Sequence, residues 1–293
     1  MVFLALLTKE LRTRMRRERT IWLMIIYVLL LGAAGWLVVQ TTSNTPYQPG
    51  SSITGTTLYY TLAILQFVLI IFITPAFTAT AINGEKERQT FDLLLCSRLS
   101  SLALVTGKLV AGMVNALLLI ASSVPLFSLL LFFGGVAPIT LLIVLWLYIV
   151  TALLIGTGSL FLSIILPRPA ISTAIAYVAN LFWLGSPLLV MFLWYALTRQ
   201  GPSGAQTNFM LSWSPFAAVV SLTPDAINTS ALNFGNNVKV ALWIGYSVIS
   251  LFMAAIFFIV SAELARPGGY GAILRRRKMA AAPLPDVKLV PLP

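Results

Sequence analysis

Long apolar runs alternate along this chain with short polar stretches. Six runs, near residues 21 to 40, 57 to 82, 109 to 133, 139 to 166, 171 to 197 and 240 to 262, contain no Asp, Glu, Lys or Arg. Crossing roughly 30 Å of hydrocarbon takes about 20 helical residues, and each run is that long or nearly so. Apolar side chains fall all round each predicted helix, so these segments face lipid or one another rather than water. The pattern predicts an all-α membrane protein with six transmembrane helices. The first run follows a cationic stretch and is succeeded by five more, which reads as an anchor rather than a cleaved signal.

Threading six spans places both termini and the loops at 83 to 108 and 167 to 170 on one side. The loops near 41 to 56, 134 to 138 and 198 to 239 then lie on the other. Of 19 Lys and Arg residues, 17 fall on the first side, leaving Arg199 and Lys239 opposite. By the positive-inside rule both termini are cytoplasmic, and the expected location is the cytoplasmic (inner) membrane. The net charge of +11 is thereby accounted for by topology and by attraction to anionic membrane lipid. No aromatic-interleaved basic groove accompanies it, so nucleic acid is not an expected partner. Trp22, Trp36, Tyr59, Tyr60, Trp146, Trp194, Tyr195 and Trp243 lie mostly near span ends, as an aromatic belt would.

Composition narrows the chemistry. Charged residues are 9% of the chain, against about a quarter in soluble domains. With no histidine and one cysteine, Cys96, the chain cannot form a His-based zinc site, a Ser-His-Asp triad, a Cys-His dyad or an internal disulfide. Ion-driven transporters carry ionisable groups within their spans, and these spans carry none. Polar groups there are Gln66, Asn115, Asn180 and scattered Ser and Thr. Their expected role is interhelical hydrogen bonding, with contact to a translocation pathway as the alternative. The GTGS stretch from Gly156 to Ser159 suits close helix packing. Gly107-Lys108 is not a phosphate loop, because Leu102 replaces the upstream Gly and Leu109 the following Ser or Thr.

Domain organisation follows from the same pattern. Residues 1–20 read as an interfacial amphipathic helix, with Leu4, Leu7, Leu11 and Met15 on one stripe and Lys9, Arg12, Arg16 and Arg19 off it. A plain cationic anchor is the alternative. Residues 21–264 form the six-helix domain, and 265–293 a basic, partly disordered cytoplasmic tail. The loop 198–239 carries Phe209, Met210, Trp213, Pro215 and Phe216, too short an apolar stretch to span. It suits an interfacial or re-entrant lid, or a simple packed cap.

The cytoplasmic loop 83–108 is the most informative stretch, reading NGEKERQTFDLLLCSRLSSLALVTGK. Asn83 and Gly84 can end the preceding helix, and Glu85 and Glu87 favour the start of another. Phe91, Leu94 and Leu95 then share one face at helical spacing. Ser100 and Ser101 are candidate N-caps for a further turn, and Gly107-Lys108 leads into the third span. Either a solvated surface helix or a docking element satisfies this pattern.

The run GEKERQTFDLLL, with GK downstream at the mouth of a span, resembles the cytoplasmic loop of ABC-2 type transporter permeases, usually close to GERERGTLELLLATPLS. Gly84, Glu85, Glu87, Arg88, Thr90, Leu93, Leu94, Leu95, Leu99, Ser100, Gly107 and Lys108 carry the match. The basic opening LLTKELRTRMRRERT and the six spans are similar to the family as well. Gln89 replaces the usual Gly, Asp92 the usual Glu, and Ser97-Arg98 the usual Thr-Pro. The resemblance implies a permease subunit that binds no cofactor itself, with ATP and Mg expected on a separate ATP-binding cassette ATPase. It implies a homodimer or heterodimer with a second permease, and outward transport. It makes the loop helix a coupling helix, with Glu85, Glu87, Arg88, Thr90, Phe91, Asp92, Leu94 and Leu95 as ATPase-coupling residues. A non-transporting scaffold or mechanical coupler on the same fold is the competing reading, followed by a channel and a lipid-modifying enzyme.

Overall fold

A computed structural model describes residues 18–43, 53–87, 101–134, 136–222, 231–234 and 238–266. Six of its helices are long and apolar enough to cross a membrane. They are α1 (Glu18–Ser43), α2 (Ile53–Thr78), α4 (Ser101–Phe133), α5 (Pro138–Ile165), α6 (Pro169–Thr198) and α9 (Leu242–Leu264). Between them lie the short helices α3 (Asn83–Glu87), α7 (Gly204–Leu211) and α8 (Pro215–Val220), and the strands β1 (Ala231–Phe234) and β2 (Val238–Ala241). All six predicted spans are present. Residues 1–17, and with them the predicted amphipathic stripe, lie outside the described residues, as do 267–293 of the tail.

Two boundaries differ from the sequence reading. Helix α2 ends at Thr78, and Asn83 and Gly84 open α3 instead of closing the preceding helix. Helix α4 begins at Ser101, so the turn expected after the serines and the third span are one continuous helix. Lys108 therefore sits about 10 Å inside a spanning helix, at 1.5 Å rise per residue. The described third span is thus not free of charge.

Helices α2 and α5 form the centre of the bundle, and α1 and α6 lie at its periphery with few of their side chains buried. Aromatic rings join the centre: Phe67 of α2 meets Tyr148 of α5 edge-on at 4.7 Å between centroids, and Phe127 of α4 meets the same ring at 5.9 Å. The Tyr148 hydroxyl donates to the Ala63 carbonyl at 3.2 Å, so its polar end is satisfied where no water reaches. The small residues of the GTGS stretch permit close approach. A Cβ on Gly156 would stand 3.2 Å from Met113 Cγ of α4, and one on Gly158 3.8 Å from the Phe257 ring of α9.

Neighbouring spans run in opposite directions, which gives the bundle two distinct ends. At one, α2 finishes against the start of α4, and a Cβ on Gly112 would lie 2.7 Å from Thr78 Cγ2. This is the motif end. At the other, the lid end, Gly55 at the start of α2 abuts the Gly134 carbonyl so closely that no Cβ fits.

The connection between α6 and α9 folds over the lid end. Ser203 and Gln206 form a capping box that starts α7, and Ser214 caps α8 with Pro215 in its first turn. Strands β1 and β2 pair antiparallel, with Ala231 opposite Ala241 and Phe234 opposite Val238. The hairpin was not anticipated, although Gly235-Asn236-Asn237 between the strands has turn composition.

Candidate functional site

The motif end is organised around the turn that joins α2 to α3. The Ser163 hydroxyl, fully buried near the end of α5, accepts hydrogen bonds from the backbone N–H groups of Ile82 and Asn83, each at 3.1 Å. Ser172 in the first turn of α6 donates to the Ala79 carbonyl at 3.0 Å. The Lys86 ammonium donates to the carbonyls of Ser163 and Ile164. These are among the last carbonyls of α5, which have no helical partner, and the helix dipole favours a cation there. The turn is thus fixed to α5 and α6 by side chains that serve backbone groups.

Glu85 and Lys108 complete the arrangement. Their carboxylate and ammonium form an ion pair between α3 and α4, with the lysine side chain 5% exposed and the glutamate 23%. An ammonium inside an apolar bundle is expensive unless paired, and Glu85 supplies the compensating charge. The pair also joins α3, where the loop leaves the bundle, to the early turns of α4, by which the chain returns to it.

Of the eight predicted coupling residues, Glu85 and Glu87 are described. Glu87 is exposed and stands beyond the buried face of α3. Arg88, Thr90, Phe91, Asp92, Leu94 and Leu95 lie outside the described residues. Sequence reasoning missed the contributions of Lys86, Lys108, Ser163 and Ser172. Lys108 carried a usable signal, since a lysine at the mouth of a span calls for an acidic partner and Glu85 stands across the loop.

The chain matches the ABC-2 family transporter protein family over residues 4–264, most of its length. It is a member of that family. No curated protein matches it at a significant level. The family match makes this chain a multi-pass permease of an ABC transporter, and it covers both termini of the six-span domain as well as the motif loop.

Within the permease's membrane bundle, the three predicted polar groups have different environments. Gln66 is fully buried in α2, and its Oε1 accepts a hydrogen bond from the Tyr27 hydroxyl of α1. That is the interhelical bond expected of it. Asn115 is buried in α4, and its Oδ1 has no hydrogen-bond partner among the described residues. Asn180 of α6 lines a small niche with Thr151, Trp183 and Tyr246, the last joined to Thr151 by a 2.7 Å hydroxyl contact.

The lid of the permease is built into the bundle. Helix α8 buries Ala218 and Val219 completely, and Tyr59 of α2 donates its hydroxyl to the Val219 carbonyl at 3.0 Å. Phe216 stands edge-on to Phe67 at 6.3 Å. Tyr59 was read as a belt residue and is instead a buried tether, while Trp22, Trp36 and Tyr195 are exposed as a belt requires. Position near a span end cannot distinguish a ring that meets headgroups from one covered by a returning loop.

Proposed function

We propose that this permease exports its substrate across the cytoplasmic membrane, driven by a separate ATP-binding cassette ATPase that binds ATP and Mg. Both termini and the motif end would face the cytoplasm, in keeping with 17 of 19 basic residues falling on that side of the threaded chain. The observation that carries the reading is the Glu85–Lys108 pair. It ties the loop's start to the third span, while Lys86 and Ser163 tie the same turn to the fourth. A displacement imposed on the loop would therefore move α2, α4 and α5 together, as a coupling element must do to switch a bundle between two arrangements. Glu85, Glu87, Arg88 and Asp92 would set register on the ATPase, with Thr90, Phe91, Leu94 and Leu95 filling its groove. Two permeases, identical or not, would join two ATPases.

The test is affinity capture of the tagged chain in mild detergent, followed by a vanadate-sensitive ATPase assay and a flux assay in vesicles. A near-stoichiometric cassette ATPase should be recovered. Arg88→Glu should leave the chain folded but uncouple hydrolysis from flux. Capture without an ATPase, or normal transport by the Arg88 variant, would overturn the assignment.

A further inference from the structure

One face of α6 lines two adjoining cavities. Asn180, Trp183 and Leu184 border a niche of about 10 Å³ between α5, α6 and α9, closed at one side by Pro215 of the lid. Leu184, Pro187 and Leu188 border a larger pocket of about 320 Å³ beneath the lid, opposite Leu211, Phe216 and Leu242. These α6 positions recur at three- and four-residue steps, so they form one stripe that passes from the niche into the pocket. Pro187 frees the Trp183 carbonyl from its helical bond, and the Ser186 hydroxyl takes it up at 2.8 Å. The backbone of the stripe is therefore satisfied.

The side chains are not. Asn180 Nδ2 and Trp183 Nε1 are both buried and find no acceptor among the described residues. Asn180 lies about 16 Å along α6 from its first residue, near the middle of a bilayer of roughly 30 Å. Two unmet donors at that depth represent a large desolvation cost unless an acceptor arrives. The niche is about the size of one oxygen atom with its contacts, and the adjoining pocket is lined mostly by aliphatic and aromatic side chains, with Asn208, Ser214 and Ser221 as its polar groups and no ionisable one.

We propose that this stripe is a ligand site for a neutral amphiphile, whose acceptor oxygen meets Asn180 and Trp183 while its apolar chain lies in the pocket under the lid. A cation would find no carboxylate there, and an anion no basic group. As a substrate site it rests on the transport reading above; as a binding site it does not. A bilayer ester carbonyl offers the same chemistry as a free amphiphile.

The experiment is photolabelling of the full chain in nanodiscs, without any ATPase, so that failure of the coupling assignment would leave its result untouched. The probes are a medium-chain methyl ketone bearing a mid-chain diazirine and the matching alkane diazirine. The ketone should label peptides spanning 184–188 and 211–217 on the order of tenfold or more over the alkane, the lower end of what leaving a buried donor unpaired costs. Trp183→Phe, which deletes the N–H together with part of the indole ring, and Asn180→Leu should each bring ketone labelling down toward the alkane level, with Gln66→Leu unchanged. Equal labelling in ester-linked and ether-linked phospholipid would identify a free amphiphile. Labelling confined to ether-linked nanodiscs would identify the lipid ester carbonyl as the resident acceptor. Equal labelling by ketone and alkane, or undiminished labelling in the Trp183 and Asn180 variants, would overturn the proposal.

Discussion

Glu85 and Lys108, 23 positions apart in the chain, are ion-paired where the motif loop leaves and rejoins the bundle. Each residue alone is a charge in a poor place: Lys108 is enclosed within a spanning helix, and Glu85 sits in the first turn of α3 with its side chain three-quarters covered. Together they give α3 an anchor and Lys108 a counter-ion.

Removing one partner should therefore cost more than removing both. Lys108→Ala leaves a carboxylate facing a hole and is expected to destabilise the fold by about 3 kcal/mol, the lower end of the range for breaking a buried pair, because Glu85 keeps some contact with solvent. Lys108→Met with Glu85→Gln should cost less than the single change. Thermal unfolding of the purified chain in detergent, run as a double-mutant cycle, measures the coupling. A coupling near zero would mean a solvent-screened surface contact.

The contact between Gly112 and Thr78 predicts a change of sign. Gly112→Ala improves helix propensity by about 1 kcal/mol, but its methyl would press on Thr78 Cγ2 at 2.7 Å. Overpacking of this kind costs about 1–3 kcal/mol, so the single variant should be destabilised or at best neutral. In a Thr78→Ser background the obstructing methyl is gone while the hydroxyl still reaches the Thr74 carbonyl, a bond of 2.8 Å. There Gly112→Ala should become stabilising. Melting temperatures of the four chains decide it, and an unchanged sign would show that α2 and α4 do not meet this closely.

What the sequence disclosed follows what local pattern can encode. A run of apolar residues without charge reports a span directly, so all six spans were legible, but a helix can extend past its apolar run when a charge finds a partner. That is why α4 begins at Ser101 and not near 109. The lid helices were signalled by Ser203 with Gln206 and by Ser214-Pro215, local capping patterns that a search for long apolar runs passes over. Ser163, Ser172 and Tyr59 were illegible for a different reason. Their roles are bonds to residues 80, 93 and 160 positions away, and nothing local marks a serine or tyrosine as one end of such a bond.

Tyr59 gives a direct handle on the lid. Tyr59→Phe keeps the ring but removes the long-range donor to the Val219 carbonyl, which retains the Leu222 N–H at 3.2 Å, so the loss should be about 0.5–1.5 kcal/mol. Because the hydroxyl holds α8 rather than the bundle centre, the loss should appear locally. Amide hydrogen exchange across 215–222 is expected to quicken while exchange in α2 and α5 stays slow. Uniform acceleration throughout the bundle would instead make Tyr59 a general core residue.

Gln66 separates a packing role from a pathway role. It is fully buried, its Oε1 is engaged by Tyr27, and its Nε2 has no acceptor among the described residues. If its function is to join α1 to α2, Tyr27→Phe should destabilise the chain by about 0.6 kcal/mol, the average for interhelical hydrogen bonds in membranes, and by no more than about 1.7 kcal/mol, their maximum. Adding Gln66→Leu should then recover most of that loss, since two apolar groups of similar shape leave nothing unsatisfied. Flux through the assembled transporter should be unaltered in the double variant, because neither side chain lines either cavity along α6. A double variant that folds as well as the parent but fails to transport would place Gln66 on the pathway, and would move the polar route away from Asn180 toward the interface of the first two spans.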